Sequence, residues 1–383
     1  LIDLGHEVIV FTGKKAAANM MPNEVERYHL MNNTFCINEK PDSLPLRCAE
    51  CFLSLFKEPF LTLRALNFFK FAREALSLNV FYKARNFNKR GDFDIVQCHF
   101  GTNGNVGAML KEAGFRFKLV TMFHGYDIRK ALSDGKDIYK KVREYGDCFL
   151  SISDYSKKNL MDMGFDEKKI RYHPVGIDLS EIDFNTRKIS AEKKKKIKIL
   201  TVARLVWEKG LEYGIKAFNL AKRRFPELDI EYGIVGKGPL LEKLEATAGA
   251  LGLADNITFY GACDHYRIIA FLRNAHIFLL PSVVEVLPVS LLEAQASGLP
   301  VVATDVGSVR QAMVDGKSGY MAASKDVTDI AEKLNMLIED HEKWPYMSAA
   351  GREFVEKNYD IRRLNLKLES IYRRLLKQRY EKG

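Results

Sequence analysis

Short apolar runs alternate with helical patterns along most of this chain, and that alternation restricts its fold more than any other feature. The runs are EVIVFT (7–12), FDIVQCHF (93–100), KLVTMFHG (118–125), CFLSIS (148–153), KIKILTVARL (196–205), IEYGIVG (230–236), HIFLLPS (276–282) and LPVVATD (299–305). A strand that is apolar along its length is covered on both faces, and helices between such strands supply the cover. The pattern predicts α/β structure built on parallel sheets. The runs fall into two groups, before and after HPVGIDLSEIDFNTRKISAEKKKK (173–196), which reads as an interdomain linker followed by a solvated lysine run. The expected architecture is therefore two doubly wound α/β domains, with the strand ends of both sheets facing a central cleft where such folds bind ligands.

A length of 383 residues suits two domains, and 47% hydrophobic with 28% charged residues suits packed cores. No uninterrupted apolar stretch of about 18 residues predicts a membrane-spanning helix. The formal net charge of +10 favours anionic partners. No helix-turn-helix, zinc-finger spacing or RNA-binding aromatic motif accompanies it, so nucleic acid is not an expected partner. Of six cysteines only Cys48 and Cys51 make a C-x-x-C, and no second pair completes a zinc site. Reduced thiols and the lack of a secretory signal predict a cytoplasmic protein. The chain opens LIDLGHEVIVFTG, without Met, at a helix end followed by a strand, and a first domain truncated at its start is expected.

Residues 44–90 carry nine Lys/Arg against three Glu, with Phe and Leu at helical spacing. Such a surface is suited to peripheral contact with an anionic membrane, on the inner face of the cell membrane for a cytoplasmic protein. The alternative is a core-facing helix pair with solvated basic faces.

Four segments bear on chemistry. In EVLPVSLLEAQASGLPVV (285–302), Pro288 fits a first helical turn, the run 289–297 reads as a helix ended by Gly298, and 299–304 reads as a buried strand. Glu285 then stands in the loop before the helix and Glu293 inside it. A helix N-terminus attracts phosphate, and acids on either side suit hydroxyl groups, a combination that describes a sugar nucleotide. Two merely solvated acids are the alternative. In VARLVWEKG, Arg204 and Lys209 follow a strand and can neutralise a diphosphate. In IVGKGPLLEKL, the turn at Gly236 has G-x-G without the third glycine of the dinucleotide fingerprint, which gives little support to an NAD site. In TMFHGYDI a strand ends at His124.

The stretches VARLVWEKGLEYGIKAF, IVGKGPLLEKLEATAGALGLADNITFYG and SVVEVLPVSLLEAQASGLPVVATDVGSVRQAMVDGKSGYMA resemble retaining glycosyltransferases of family 4, which have the GT-B fold. CHFGTNGNVGAML, VTMFHGYDI and PVGID extend the likeness through the first half, and the flavour is that of the bacterial colanic-acid and exopolysaccharide branch. The resemblance implies an acceptor-side Rossmann-like domain over 1–178, a nucleotide-sugar-binding domain over 179–357, and a terminal helix over 358–383 that returns to the first domain. That helix is basic and amphipathic, with Leu364, Leu366, Leu368, Ile371, Leu375 and Leu376 on its apolar side. The resemblance also implies roles. Arg204 and Lys209 bind the donor diphosphate, Gly236 belongs to the donor site, and Glu293 holds the ribose hydroxyls. Glu285 contacts the donor sugar, Val286, Leu287, Pro288 and Val289 line sugar and phosphate, and His124 faces the sugar from the first domain.

By the same resemblance the chain is expected to be a metal-independent hexosyltransferase without cofactor. It would move sugar from a nucleoside diphosphate donor to a glycan, lipid-linked in the exopolysaccharide branch. Asp92 and Asp94 resemble D-x-D, but Asp94 opens a buried strand and is not read as a metal ligand. Three departures from the family pattern stand out. Val286 occupies a usual glycine position, Arg310 and Gln311 replace the usual Pro and Glu, and the glycine-rich loop after the first strand is missing. Two other functions compete, a non-catalytic sugar-nucleotide or glycan binder and a GT-B nucleotide-sugar epimerase.

Overall fold

The computed structural model describes residues 1–14, 23–188 and 196–380. Residues 193–195 of the expected lysine run lie outside the described residues. Lys196 opens a strand and pairs with Glu231 at 2.5 Å. The chain divides into two compact units, one of residues 1–150, 160–171 and 368–383, the other of 151–159 and 172–367. Sequence drew one border at 178/179 and a second at 357/358. The terminal helix Ile361–Tyr380 contributes its first residues to the second unit and its last to the first.

The second unit is built on a six-stranded sheet. Its strands are β7 (Lys196–Val202), β8 (Asp229–Val235), β9 (Ile257–Gly261), β10 (Ile277–Leu280), β11 (Val301–Thr304) and β12 (Gly319–Ala322). They lie in the order β12-β11-β10-β7-β8-β9, and every neighbouring pair is parallel. The chain lays β7, β8 and β9 outward in one direction, then returns to β7 and lays β10, β11 and β12 outward in the other. This is the doubly wound order, in which the direction reverses between β7 and β10. Alternation of side chains builds a core on each face. Ile197, Ile199, Tyr232, Ile234 and Leu279 pack with Leu211, Ile215 and Phe218 of the helix Leu211–Arg224 and with Leu334 and Leu337 of the helix Val327–Glu339. Leu200, Phe278, Leu280, Val301 and Ala303 face Leu291 and Leu292 of the helix Val289–Ala296 and Val355 of the helix Trp344–Tyr359.

In the first unit, β3 (Ile95–His99), β4 (Lys118–Phe123), β5 (Cys148–Ser151) and β6 (Ile170–Tyr172) form a sheet in that order, with β3 and β4 parallel. A separate parallel pair joins β1 (Val10–Thr12) and β2 (Thr34–Cys36). Residues 44–90 form five helices, Leu44–Lys57, Pro59–Ala65, Phe68–Phe71, Arg73–Leu76 and Asn79–Asn88. Asn79–Asn88 is core-facing through Val80, Phe81, Ala84 and Phe87. Cys51 is buried and Cys48 exposed, both as free thiols.

The apolar side of the terminal helix differs from the one expected. Leu364, Leu368 and Tyr372 are buried at four-residue spacing, whereas Leu366 is 55% exposed. Two residues turn a helix by about 200°, which carries Leu366 away from the line that Leu364 begins.

Candidate active site

The reversal between β7 and β10 places two loops side by side at the carboxyl ends of these strands, 203–210 after β7 and 281–288 after β10. Their backbones are stitched together, since Val283 and Val284 both donate to the carbonyl of Glu208, at 2.7 and 3.1 Å. Lys209 forms an ion pair with Glu285, and Ser282 Oγ donates to the same carboxylate oxygen at 2.9 Å. Glu285 is only 5% exposed, so its charge is compensated within the protein. Arg204, in the loop that carries Lys209, is exposed and makes no ion pair or side-chain hydrogen bond among the described residues.

Two glycines make this crowding possible. Gly236, just past β8, has φ +144°, and a Cβ there would stand 1.8 Å from the Ala203 carbonyl oxygen. Gly307 has φ +56°, and its Cβ would stand 1.7 Å from the carbonyl oxygen of Glu285. Side chains are excluded at both positions by backbone conformation as well as by contact.

Pro288 caps the helix Val289–Ala296, which ends one residue before the expected position, with Ser297 as C-cap and Gly298 at φ +88°. Val286 and Pro288 are buried, Leu287 and Val289 half-buried. The next turn of that helix carries Glu293, also half-buried. Burial raises its pKa above the usual carboxylate value, opposed by the charge of His265. His265 itself pairs with Glu181 at 3.1 Å when protonated. The structure thus gathers Arg204, Lys209, Gly236, Glu285, the 286–289 backbone and Glu293 at one end of one sheet. Arg310 reaches back to Asp305, and Gln311 bonds to Asp154, so neither takes a place in this group.

His124 belongs to the first unit, at the carboxyl end of β4. It is the N-cap of the helix Gly125–Asp134, and its backbone N–H donates to Asp127 at 2.8 Å. Asp127 is fully buried and also accepts from the Gly101 N–H at 2.9 Å and the Tyr139 hydroxyl at 3.2 Å. These bonds fix the ends of β3 and β4 to each other. The His124 ring stacks on His99 with centroids 5.6 Å apart and lies 4.6 Å from Phe100, whose φ of +72° is rare for a side-chain-bearing residue. Burial, then the neighbouring His99, depress the His124 pKa to about 4, so the ring is neutral at pH 7.

Ser282, His265, Asp127 and His99 do not stand out in the sequence. His99 ends an apolar run just as His124 does, and that shared position is the available signal. Asp127 and His265 matter through contacts between distant segments, and Ser282 through a bond within its own loop. Among the described residues no group of three or more His, Cys, Asp or Glu is placed to hold a metal ion.

A parallel sheet wound outward in both directions, with cations and acids at its reversal point, defines a Rossmann-like domain, here one of the two units of a GT-B protein. Residues 1–181 match the family model described as Glycosyltransferase Family 4, and residues 183–354 the one described as Glycosyl transferases group 1. WcaL of Salmonella typhimurium, a glycosyltransferase named for colanic acid biosynthesis, is 30% identical over 382 residues, 97% of this chain and 93% of that protein. The amylovoran biosynthesis glycosyltransferase AmsK of Erwinia amylovora is 31% identical over 291 residues, 74% of this chain and 70% of AmsK. A solved glycosyltransferase from Rickettsia africae ESF-5 shares the fold with a TM-score of 0.69 at 17% identity, over 98% of this chain and 92% of that one. The chain belongs to the family 4 glycosyltransferases.

Proposed function

We propose that this chain transfers a hexose from a nucleoside diphosphate donor to a hydroxyl group of a lipid-linked glycan during exopolysaccharide assembly. The observation that carries this reading is the Lys209–Glu285 pair at the reversal point of the sheet, with Arg204 unengaged in the same loop. The names of WcaL and AmsK support the polysaccharide context.

In this mechanism the diphosphate sits against Arg204, Lys209 and the N-terminus of the helix Val289–Ala296, with Gly236 leaving room for its approach. Glu293 accepts hydrogen bonds from the ribose hydroxyls, which relieve a carboxylate that burial otherwise disfavours. The backbone from Val286 to Val289 lines phosphate and sugar, and Glu285 contacts the sugar while sharing Lys209 with the diphosphate. The bond from sugar C1 to the phosphate oxygen breaks, and the charge that develops on the phosphate is met by the two cations. The acceptor oxygen bonds to C1 on the face that the phosphate leaves, its proton passes to the departing phosphate oxygen, and configuration at C1 is retained. Two fixed cations make a divalent ion unnecessary for the leaving group. The enzyme works from the cytoplasm as a peripheral membrane protein.

Calorimetric titration with UDP-, GDP- and ADP-sugars tests the donor site. Binding of one nucleotide class, weakened in both Lys209→Ala and Glu293→Ala, is expected. Equal binding in both variants refutes the site. Anomeric coupling constants of the product report retention, turnover in EDTA reports metal independence, and donor binding without acceptor-dependent turnover points to a binding protein.

A further inference from the structure

We infer that the helix Leu44–Lys57 and the short helices after it form an apolar crest that inserts among the acyl chains of an anionic bilayer. The inference deepens the membrane-side part of the proposed function and is independent of the donor chemistry. Its basis is a helix turned inside out. The protein-facing side of Leu44–Lys57 holds polar contacts, with Glu50 paired to Arg85 at 2.6 Å and buried Ser54 accepting from the Thr62 hydroxyl at 3.0 Å. Its outward side carries Phe52, Leu53 and Phe56, which are 60%, 57% and 75% exposed. The crest continues through Phe60 and Leu63 of Pro59–Ala65 to the fully exposed Phe69 of Phe68–Phe71. A contiguous run of large apolar side chains in water marks an interaction surface rather than ordinary surface composition.

Charge decides what covers it. Lys57, Lys70 and Arg73 are exposed on the same helices, against one exposed acid, Glu74, among residues 44–76. A second copy docking through a two-fold axis would bring this basic rim against itself. Lipid phosphates would pair with it while the phenylalanines enter the layer beneath, as in interfacial amphipathic helices. Among the described residues no helix is long and apolar enough to cross a membrane, so the contact is interfacial.

Flotation of the full chain with phosphatidylethanolamine–phosphatidylglycerol vesicles tests this, with phosphatidylcholine vesicles as the uncharged control. The wild type should float with the anionic vesicles and stay substantially bound at about 0.5 M salt, where attraction between exposed charges is screened. The variant Phe56→Ser/Phe60→Ser/Phe69→Ser should partition about 100-fold more weakly, roughly fivefold for each half-inserted ring. A Phe56→Trp protein should show blue-shifted emission on binding and quenching by brominated acyl chains. Because these side chains are exposed, the triple variant should melt as the wild type does and bind nucleotide sugar equally well. The inference is overturned by no vesicle binding by the wild type, by equal binding by the triple variant, or by complete release by salt. Light scattering that shows a wild-type dimer absent from the triple variant also overturns it, in favour of a second copy. Vesicle binding in a chain that binds no nucleotide sugar would refute the donor reading alone.

Discussion

Lys209 and Glu285 stand 76 positions apart in the chain and meet as an ion pair where the sheet changes direction. Removing the lysine strands a carboxylate that is only 5% exposed, with Ser282 as its remaining donor. An uncompensated buried charge costs about 3 kcal/mol. Lys209→Ala should lower unfolding stability by about 2–3 kcal/mol, and adding Glu285→Gln should restore most of it. Donor affinity should remain low in both proteins. Urea denaturation and calorimetry on the two variants separate the effects, and full recovery of donor binding in the double variant would exclude Lys209 from the diphosphate site.

Glu293 should show the opposite balance. Its pKa is raised in the folded protein, so the charged form present at pH 7 costs stability, and the cost disappears as pH falls through the folded pKa. Glu293→Gln should melt a few degrees higher than the wild type at pH 7, with the difference shrinking toward pH 4. The same substitution should weaken donor binding about tenfold or more, because an amide is a poorer acceptor for two ribose hydroxyls. A lower melting temperature at pH 7 would contradict the burial argument.

Gly307→Ala tests whether the Glu285 loop is held by close backbone approach. A Cβ 1.7 Å from the Glu285 carbonyl oxygen forces that loop to move, and φ of +56° adds strain of about 1–2 kcal/mol. Donor affinity should fall about tenfold or more while the far-ultraviolet spectrum stays unchanged. Unaltered affinity would mean that the loop is free to shift.

Acid should destabilise the second unit through His276. Its Nδ1 accepts the Lys198 N–H at 3.0 Å, which requires the unprotonated nitrogen, and burial with nearby Arg187 and Lys198 depresses its pKa to about 4. The unfolded chain titrates near 6.5 and binds the proton first, so stability is complete above about pH 6.5 and declines toward pH 4. His276 is half-buried, and about 1 kcal/mol should be lost between pH 7 and pH 5, a few degrees of melting temperature. His276→Asn should flatten that slope, as read by melting curves across the pH range.

Legibility in the sequence followed burial. The eight apolar runs all contain strands, and those buried along their length, such as Cys148–Ser151, Ile277–Leu280 and Val301–Thr304, leave uninterrupted apolar stretches. The strands not recognised, Thr34–Cys36, Ile170–Tyr172, Ile257–Gly261 and Gly319–Ala322, all lie at a sheet edge, where one side meets solvent and the pattern breaks. Glu285, Lys209 and Pro288 could be found because they directly follow strand runs. His265 could not, since its relevance arises from a contact between segments distant in the chain, and Ser282 could not, since its bond to Glu285 three residues on depends on how their shared loop turns. For Leu44–Lys57, helical periodicity revealed an apolar stripe without telling which way it faced, and Leu366 was assigned to a stripe that its angular position forbids.

The doubly wound order of the second unit also has a consequence for synthesis. β7, β8 and β9 can pair as soon as they leave the ribosome, yet the central partner of β7 on its other side is β10, with Thr201 and Leu279, which bond across that seam, 78 positions apart. Closing so long a loop costs only slightly more entropy than closing a shorter one, but it must wait for the later segment to exist. A nascent chain that ends before β10 therefore has a nearly continuous half-sheet and lacks the loop 281–288 that carries Glu285. The Lys209–Glu285 pair therefore forms late, only once the strand that completes the middle of the sheet exists.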